Sequence, residues 1–140
     1  MRYIFLFFIN FLIYLQADEI AVVKMVQGEV FSKNSGELVQ LQEGSLLDAN
    51  STIITKNNAL VTIIFKDASV LNLGENSLIN LNSFVFSPQT DEYDFKLYLT
   101  KGDLVFESGK IGDRAPEDFE LKTPQGIVSI RGTKFVIKVK

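Results

Sequence analysis

The side chains able to do chemistry in this 140-residue chain are carboxylates, amines and hydroxyls, because it contains no His and no Cys. That composition removes Ser-His-Asp and Cys-His nucleophilic systems. It also removes the His/Cys sets favoured by zinc and the usual ligands of haem and iron–sulfur clusters. Asp91, Glu92 and Asp94 lie together beside a polar loop, and Asp113, Glu117, Asp118 and Glu120 form a second acidic group. Oxygen-rich loops hold calcium, but neither group has the spacing, Gly and closing Glu of an EF-hand. Both read as solvated acidic turns. Two carboxylates hydrolyse a glycoside only when held on either side of the bond, and nothing in the pattern marks such a pair. Lys66-Asp67-Ala68-Ser69 combines an amine, a carboxylate and a hydroxyl. Its simpler reading is a turn in which Asp67 and Ser69 bond the local backbone. Arg131-Gly132-Thr133 is a tight corner: Gly132 suits a positive φ or a bulge, and Arg131 would brace a neighbouring acidic loop through its planar fork. No catalytic residue, cofactor or metal site is expected.

The elements that must position these residues are strands. Period-two patterns dominate the chain. Ile20 to Val26 is β-rich and ends before Gly28, Val30-Phe31 continues it, and Leu38 to Leu41 is closed by Glu43-Gly44. Ser51 to Thr55 follows. Leu60 to Phe65 is apolar on both faces apart from Thr62, which suits a central strand. Val70 to Leu73, Leu78 to Leu81 and Phe84 to Phe86 come next as separate strands. Tyr93, Phe95, Leu97 and Leu99 share one face, with Asp94, Lys96 and Tyr98 on the other. Lys101-Gly102 is expected to turn the chain into Leu104-Val105-Phe106, and residues 109–118 to form a charged loop. Phe119 to Lys122, Ile127 to Arg131 and Phe135 to Val139 close the sequence, with Thr123-Pro124-Gln125-Gly126 as a turn. No segment has a convincing amphipathic helical pattern. Turn signals every 8–12 residues or so are the rhythm of an all-β sandwich or barrel. The turns at Gly44, Asn57, Asp67 and Gly74 would also suit the coils of a β-helix or roll. About ten or more short strands are expected.

The first residues are of a different kind. Met1 and Arg2 give a positive start, and Tyr3 to Leu15 is almost wholly apolar. That run is shorter than the roughly 20 residues a membrane-spanning helix needs and matches the apolar centre of a secretory signal. Leu15-Gln16-Ala17 supplies the small residue at a cleavage site, so residues 1–17 read as a signal peptide and 18–140 as one β domain. No Cys follows for lipidation. The absence of Cys leaves the redox compartment open; the leader is what argues for export, with no membrane span after cleavage. The formal net charge of −3 becomes one unit more negative without Arg2. An acidic domain is a poor partner for nucleic acid, whose phosphates reward clustered basic residues. Lys134, Lys138 and Lys140 do gather near the end, where they alternate with apolar residues and read as one solvated strand face.

An ordered set of landmarks resembles the FecR domain of bacterial envelopes. It runs from Gly28-Glu29-Val30 through Gly44-Ser-Leu-Leu, Thr52-Ile-Ile-Thr55 and Ala59 to Leu73 with Asp67 and Ser69 inside it. Lys101-Gly102-Asp103-Leu104 and the ending Thr123-Pro124…Arg131-Gly132-Thr133-Lys-Phe135 complete the set. These residues are expected to be structural. One departure is Ala68, where the family commonly has Gly; since Ala tolerates positive φ poorly, the turn is expected to avoid it. The resemblance implies a non-enzymatic periplasmic module of a Gram-negative-type envelope, engaged in signal relay or scaffolding. Its expected partner is another envelope protein, such as an outer-membrane transporter or a membrane-bound regulator. The best-known members also carry a cytoplasmic segment that contacts a sigma factor, and residues 1–17 leave no room for one. The alternative occupation is a carbohydrate- or cell-wall-binding β module, with Tyr93 and Tyr98 as its aromatic candidates. Cleavage after Ala17 predicts that Edman sequencing of the exported protein starts at Asp18; a chain that still begins at Met1 contradicts it.

Overall fold

Alternation in the sequence becomes alternation in burial along β9 (Glu92–Glu107), where Phe95, Leu97 and Leu99 are buried and Lys96, Tyr98 and Thr100 are exposed. The computed structural model describes residues 19–129 and 134–140, so the leader and the Arg131-Gly132-Thr133 corner lie outside the described residues. Within them the protein is all-β, with twelve strands. The first seven are β1 (Glu19–Gln27), β2 (Val30–Asn34), β3 (Glu37–Gln40), β4 (Leu46–Asp48), β5 (Thr52–Thr55), β6 (Leu60–Phe65) and β7 (Val70–Leu73). β8 (Leu78–Ser87) precedes β9, and β10 (Phe119–Thr123), β11 (Gly126–Val128) and β12 (Lys134–Val139) follow it.

Two layers share β9. Its first part pairs with β8 and β10, continuing a layer ordered β3-β2-β5-β8-β9-β10-β11. Its last part, from Gly102 on, pairs with β7 and β12 in a layer ordered β4-β1-β6-β7-β9-β12. Every pair is antiparallel except β9 with β10. The layers fold over one another, and their inner faces meet through aromatic rings. Phe65 of β6 lies 5.6 Å from Phe84 of β8 and 4.7 Å from Phe95 of β9. Phe95 also meets Phe106 and Phe119 edge-on, at 5.6 and 5.2 Å. Such T-shaped pairs add roughly 0.5–1.5 kcal/mol beyond the area they bury. This is the sandwich-like arrangement; a β-helix would stack parallel coils.

Three expectations are corrected. Gly102 does not reverse the chain: β9 runs through it and bends, because it is the position at which the strand passes from one layer to the other. Leu78–Leu81 and Phe84–Phe86 are one strand, β8, whose register shifts between Asn80 and Ser83 and so hides its continuity from the period-two pattern. Residues 109–118 are not an open loop but contain a short helix, α1 (Lys110–Arg114), and a 3-10 turn at Pro116–Asp118. A helix that short has no readable periodicity. Phe95 is fully buried among Phe65, Phe84, Phe106 and Phe119. Phe95→Ala is therefore expected to lower unfolding free energy by about 3–5 kcal/mol in urea titration.

Candidate functional site

The Lys66–Ser69 turn carries the most heavily bonded carboxylate of the described residues. Asp67 is fully buried. Its Oδ1 accepts the Ser69 backbone N–H at 3.0 Å, while Oδ2 accepts the Ser69 hydroxyl at 2.8 Å and the Ile111 N–H at 3.1 Å. The Asp67 carbonyl accepts the Lys110 N–H at 2.8 Å, and Ser69 Oγ accepts the Gly109 N–H at 2.9 Å. The first N–H groups of α1, which have no partner inside a helix, are thus satisfied by a turn some forty residues earlier. Burying an acceptor-only carboxylate is tolerated because donors meet it. A Cβ at position 109 would lie 2.2 Å from the Asp67 carbonyl oxygen, so only Gly fits there. Ala68 has φ 69°, which overturns the expectation that Ala forces a turn without positive φ. The bonds around Asp67 and the Ala68 N–H to Phe65 carbonyl bond of 2.9 Å over-determine the turn and hold the strained residue in place.

A second junction surrounds the bend in β9. Thr55 Oγ1 donates to the Gly74 carbonyl at 2.6 Å and accepts the Ser77 N–H at 2.9 Å. Ser77 Oγ donates to the Glu75 carbonyl at 3.0 Å and accepts the Asp103 N–H at 3.1 Å. Gly102 has φ 108°, and a Cβ there would lie 1.9 Å from Ser77 Oγ. Thr55 and Ser77 are both buried; the sequence reading placed Thr55 in a family landmark without a bond and gave Ser77 no role.

The remaining landmark residues are dispersed. Gly28 links β1 to β2, and Gly44 donates its N–H to the Val23 carbonyl. Thr123 Oγ1 accepts the Gln125 N–H and donates to the Gly126 carbonyl, both at 3.2 Å, across the turn that carries Pro124. Phe135 packs 5.3 Å from Phe106. These residues do not converge on one pocket. One member of the first acidic group meets three of the second: Asp94, Glu117, Asp118 and Glu120 line one open groove with Lys96. Lys96 Nζ lies 3.3 Å from Asp94, which also accepts the Ser83 hydroxyl at 2.8 Å. Among the described residues, no group of His, Cys, Asp or Glu is placed to hold a metal ion. Nearby, Arg114 donates to the Tyr93 hydroxyl at 3.5 Å. That bond, and then the charge of Tyr93, raises the guanidinium above its ordinary pKa.

The outward faces of both layers carry polar and apolar rows, Phe31, Ile54 and Leu78 among the apolar ones in the layer from β3 to β11. In the layer from β3 to β11, Lys33, Thr52, Asn80, Tyr98 and Lys122 stand in register across the outer face. In the layer from β4 to β12 the outer face is mixed: one row is apolar until it reaches Glu107 and Lys134, and the next holds Thr62 and Asn72 between Met25 and Val105. Leu46, Val22, Ile64 and Val70 form one row, and Val105 and Val136 stand in the next. Leu46 and Val136 are 55% and 70% exposed, and the other four are partly exposed. The double-sided apolarity of β6 that suggested a central strand therefore has two sources, the core on one face and this uncovered surface on the other. Among the described residues, no helix is long and apolar enough to cross a membrane.

The Asp67 junction yields a test. Asp67→Asn puts an amide N–H₂ where a carboxylate oxygen met two donors, at an expected cost of about 1–3 kcal/mol. Gly109→Ala is expected to cost about 1–3 kcal/mol through the clash. Because both act on one bonded unit, the double variant should fall short of the sum. Urea melts of the three variants check this, and full additivity contradicts it.

Comparison with known proteins adds one positive finding. The model of the FecR protein family matches residues 51–140, which include the Asp67 turn, the Gly102 bend and the closing strands. No curated protein and no solved structure matches the chain. A match over more than half of the sequence, holding both buried junctions, places it: the chain belongs to the FecR protein family, a family of signal-transduction regulators.

Proposed function

We propose that this protein is a non-enzymatic periplasmic module that binds another envelope protein, in signal relay or as a scaffold. A cleaved leader at residues 1–17 and one folded domain over 18–140 are part of this reading. The observation that carries it is the exposed apolar row of Leu46, Val22, Ile64 and Val70, with Val105 and Val136 in the row beside it. Contiguous apolar surface on a folded protein marks a place where another macromolecule sits. Family membership supports a regulatory occupation. The outer-membrane transporter and the membrane-bound regulator remain the two partner types suggested by resemblance. The Asp67, Gly102 and Thr123 junctions serve, in this reading, to hold the layers and do not touch the partner.

The wall-binding alternative is the weaker one for a geometric reason. Tyr93 packs against Phe86 with ring centres 6.1 Å apart, on the core side. Tyr98 stands on the outer face, 38% exposed. A sugar-binding platform needs aromatic surface on one side, and these two residues point to opposite sides of β9.

Photo-cross-linking in the producing cell tests the proposal. A photoreactive residue at Leu46 in the full chain is expected to give a discrete adduct with an envelope protein, and one at Lys33, on the layer that ends in β11, none. Purified protein is expected to stay in the supernatant when peptidoglycan is sedimented. Absence of any adduct from Leu46, or co-sedimentation with the wall polymer, counts against protein docking.

A further inference from the structure

Four strands end the two layers among the described residues: β3, β4, β11 and β12. They are four, three, three and six residues long. β12 is bonded on one side, to β9, and its other side carries a row of backbone groups with no strand against it among the described residues. Such an edge is a template for a further strand. Natural edges are guarded by charge, and β12 carries Lys134 and Lys138 on its outward face on either side of Val136. Val136 is the most exposed large apolar side chain among the described residues, at 70%. A depression of about 300 Å³ opens beside it, lined by Leu60, Val105, Ile137 and neighbours.

The lysines select what can add to this edge. A second copy pairing antiparallel about Val136 would set Lys134 opposite Lys138 in both directions. Like charges directly opposite on adjacent strands destabilise the pairing, whereas opposite charges contribute roughly 0.2–1 kcal/mol each. Self-association at this edge is thereby opposed while the backbone template stays open. The internal partner of Lys138 is weak: Asp103 lies 3.9 Å away, with both side chains at least half exposed. Exposed pairs of that kind contribute about 0–1 kcal/mol, so the ammonium remains available to an incoming carboxylate. Apolar contact at Val136 supplies the central anchor.

We infer that the free edge of β12 receives an extended segment of the partner protein in which two acidic residues flank an apolar one at alternate positions. The acids lie opposite Lys134 and Lys138, and the apolar side chain lies over Val136 and its depression. Main-chain bonds supply affinity and the alternate side chains supply selection, as in other strand additions. This rests on the protein-docking reading above and names the edge and the charge pattern that serve it.

The probe is a capped peptide, Ser-Glu-Thr-Val-Thr-Glu-Ser, with a Lys-for-Glu version as its counterpart, titrated into isotope-labelled full-length mature protein and followed by amide shifts. The acidic peptide is expected to perturb β12 and the last part of β9. The Lys134→Glu, Lys138→Glu double variant should bind it at least tenfold more weakly and should prefer the Lys peptide. An unchanged circular-dichroism spectrum confirms that the variant folds. Equal affinity for the two peptides, or shifts centred on β3, β4 or β11, overturns the assignment. The cell experiment separates this from the broader reading. If the double variant keeps the adduct formed from Leu46, docking stands and the β12 edge is wrong. If the parent protein forms no adduct, both fall.

Discussion

The rest of the structure depends on one strand having to serve two sheets. β9 gives its first part to the layer that ends in β11 and its last part to the layer that ends in β12. A strand can do this only if it bends sharply without losing its neighbours on either side. Gly102 supplies the bend, because at φ 108° and with Ser77 Oγ where a Cβ would be, no other residue fits. Ser77 then replaces the ladder bond disturbed there by accepting the Asp103 N–H, and Thr55 holds Ser77. The aromatic core follows from the same bend. Phe95 and Phe106 lie on either side of it, in different layers, and their rings meet.

The second constraint is the buried Asp67 carboxylate. It ties the β6–β7 turn to the start of α1, and so ties the layer that ends in β12 to the segment that leads into β10. β10 is the strand that pairs parallel to β9. Parallel neighbours need a crossover between them, and here it runs from residue 99 to residue 118, through the last part of β9 in the other layer and then the α1 segment. The donors at the start of the α1 segment are spent on Asp67 and Ser69. This buried carboxylate thus sets where the chain turns back after leaving β9.

The strand content was legible because alternation survives translation into structure: Phe95, Leu97 and Leu99 bury as a set. Asp67 and Ser69 were legible as a bonded turn, since short polar side chains bond nearby backbone. The reach of Asp67 to Ile111 was not, because a contact across 44 residues leaves no local trace. Ser77 was invisible for the same reason, and Thr55 was marked only as part of a landmark, with no hint of the bond that links the two. Gly102 was recognised as special and misread, since a glycine that reverses a chain and one that bends a strand look alike in sequence. Ala68 went the other way: a general steric rule was applied, and tertiary bonds overrode it. The letters of β6, apolar on both faces apart from Thr62, read as a central strand, and β6 does lie between β1 and β7.

The shared strand also bears on when the domain can exist. The last part of β9 lacks one flank until residues 134–139 are available, and its first part lacks one until β10 has been laid down. Pairings between segments far apart in the chain form slowly, because closing the intervening loop costs entropy before any contact compensates. A polypeptide emerging from the ribosome amino end first therefore has no finished sheet to close upon for most of its synthesis. Late closure leaves both layers unfinished until the final strands arrive.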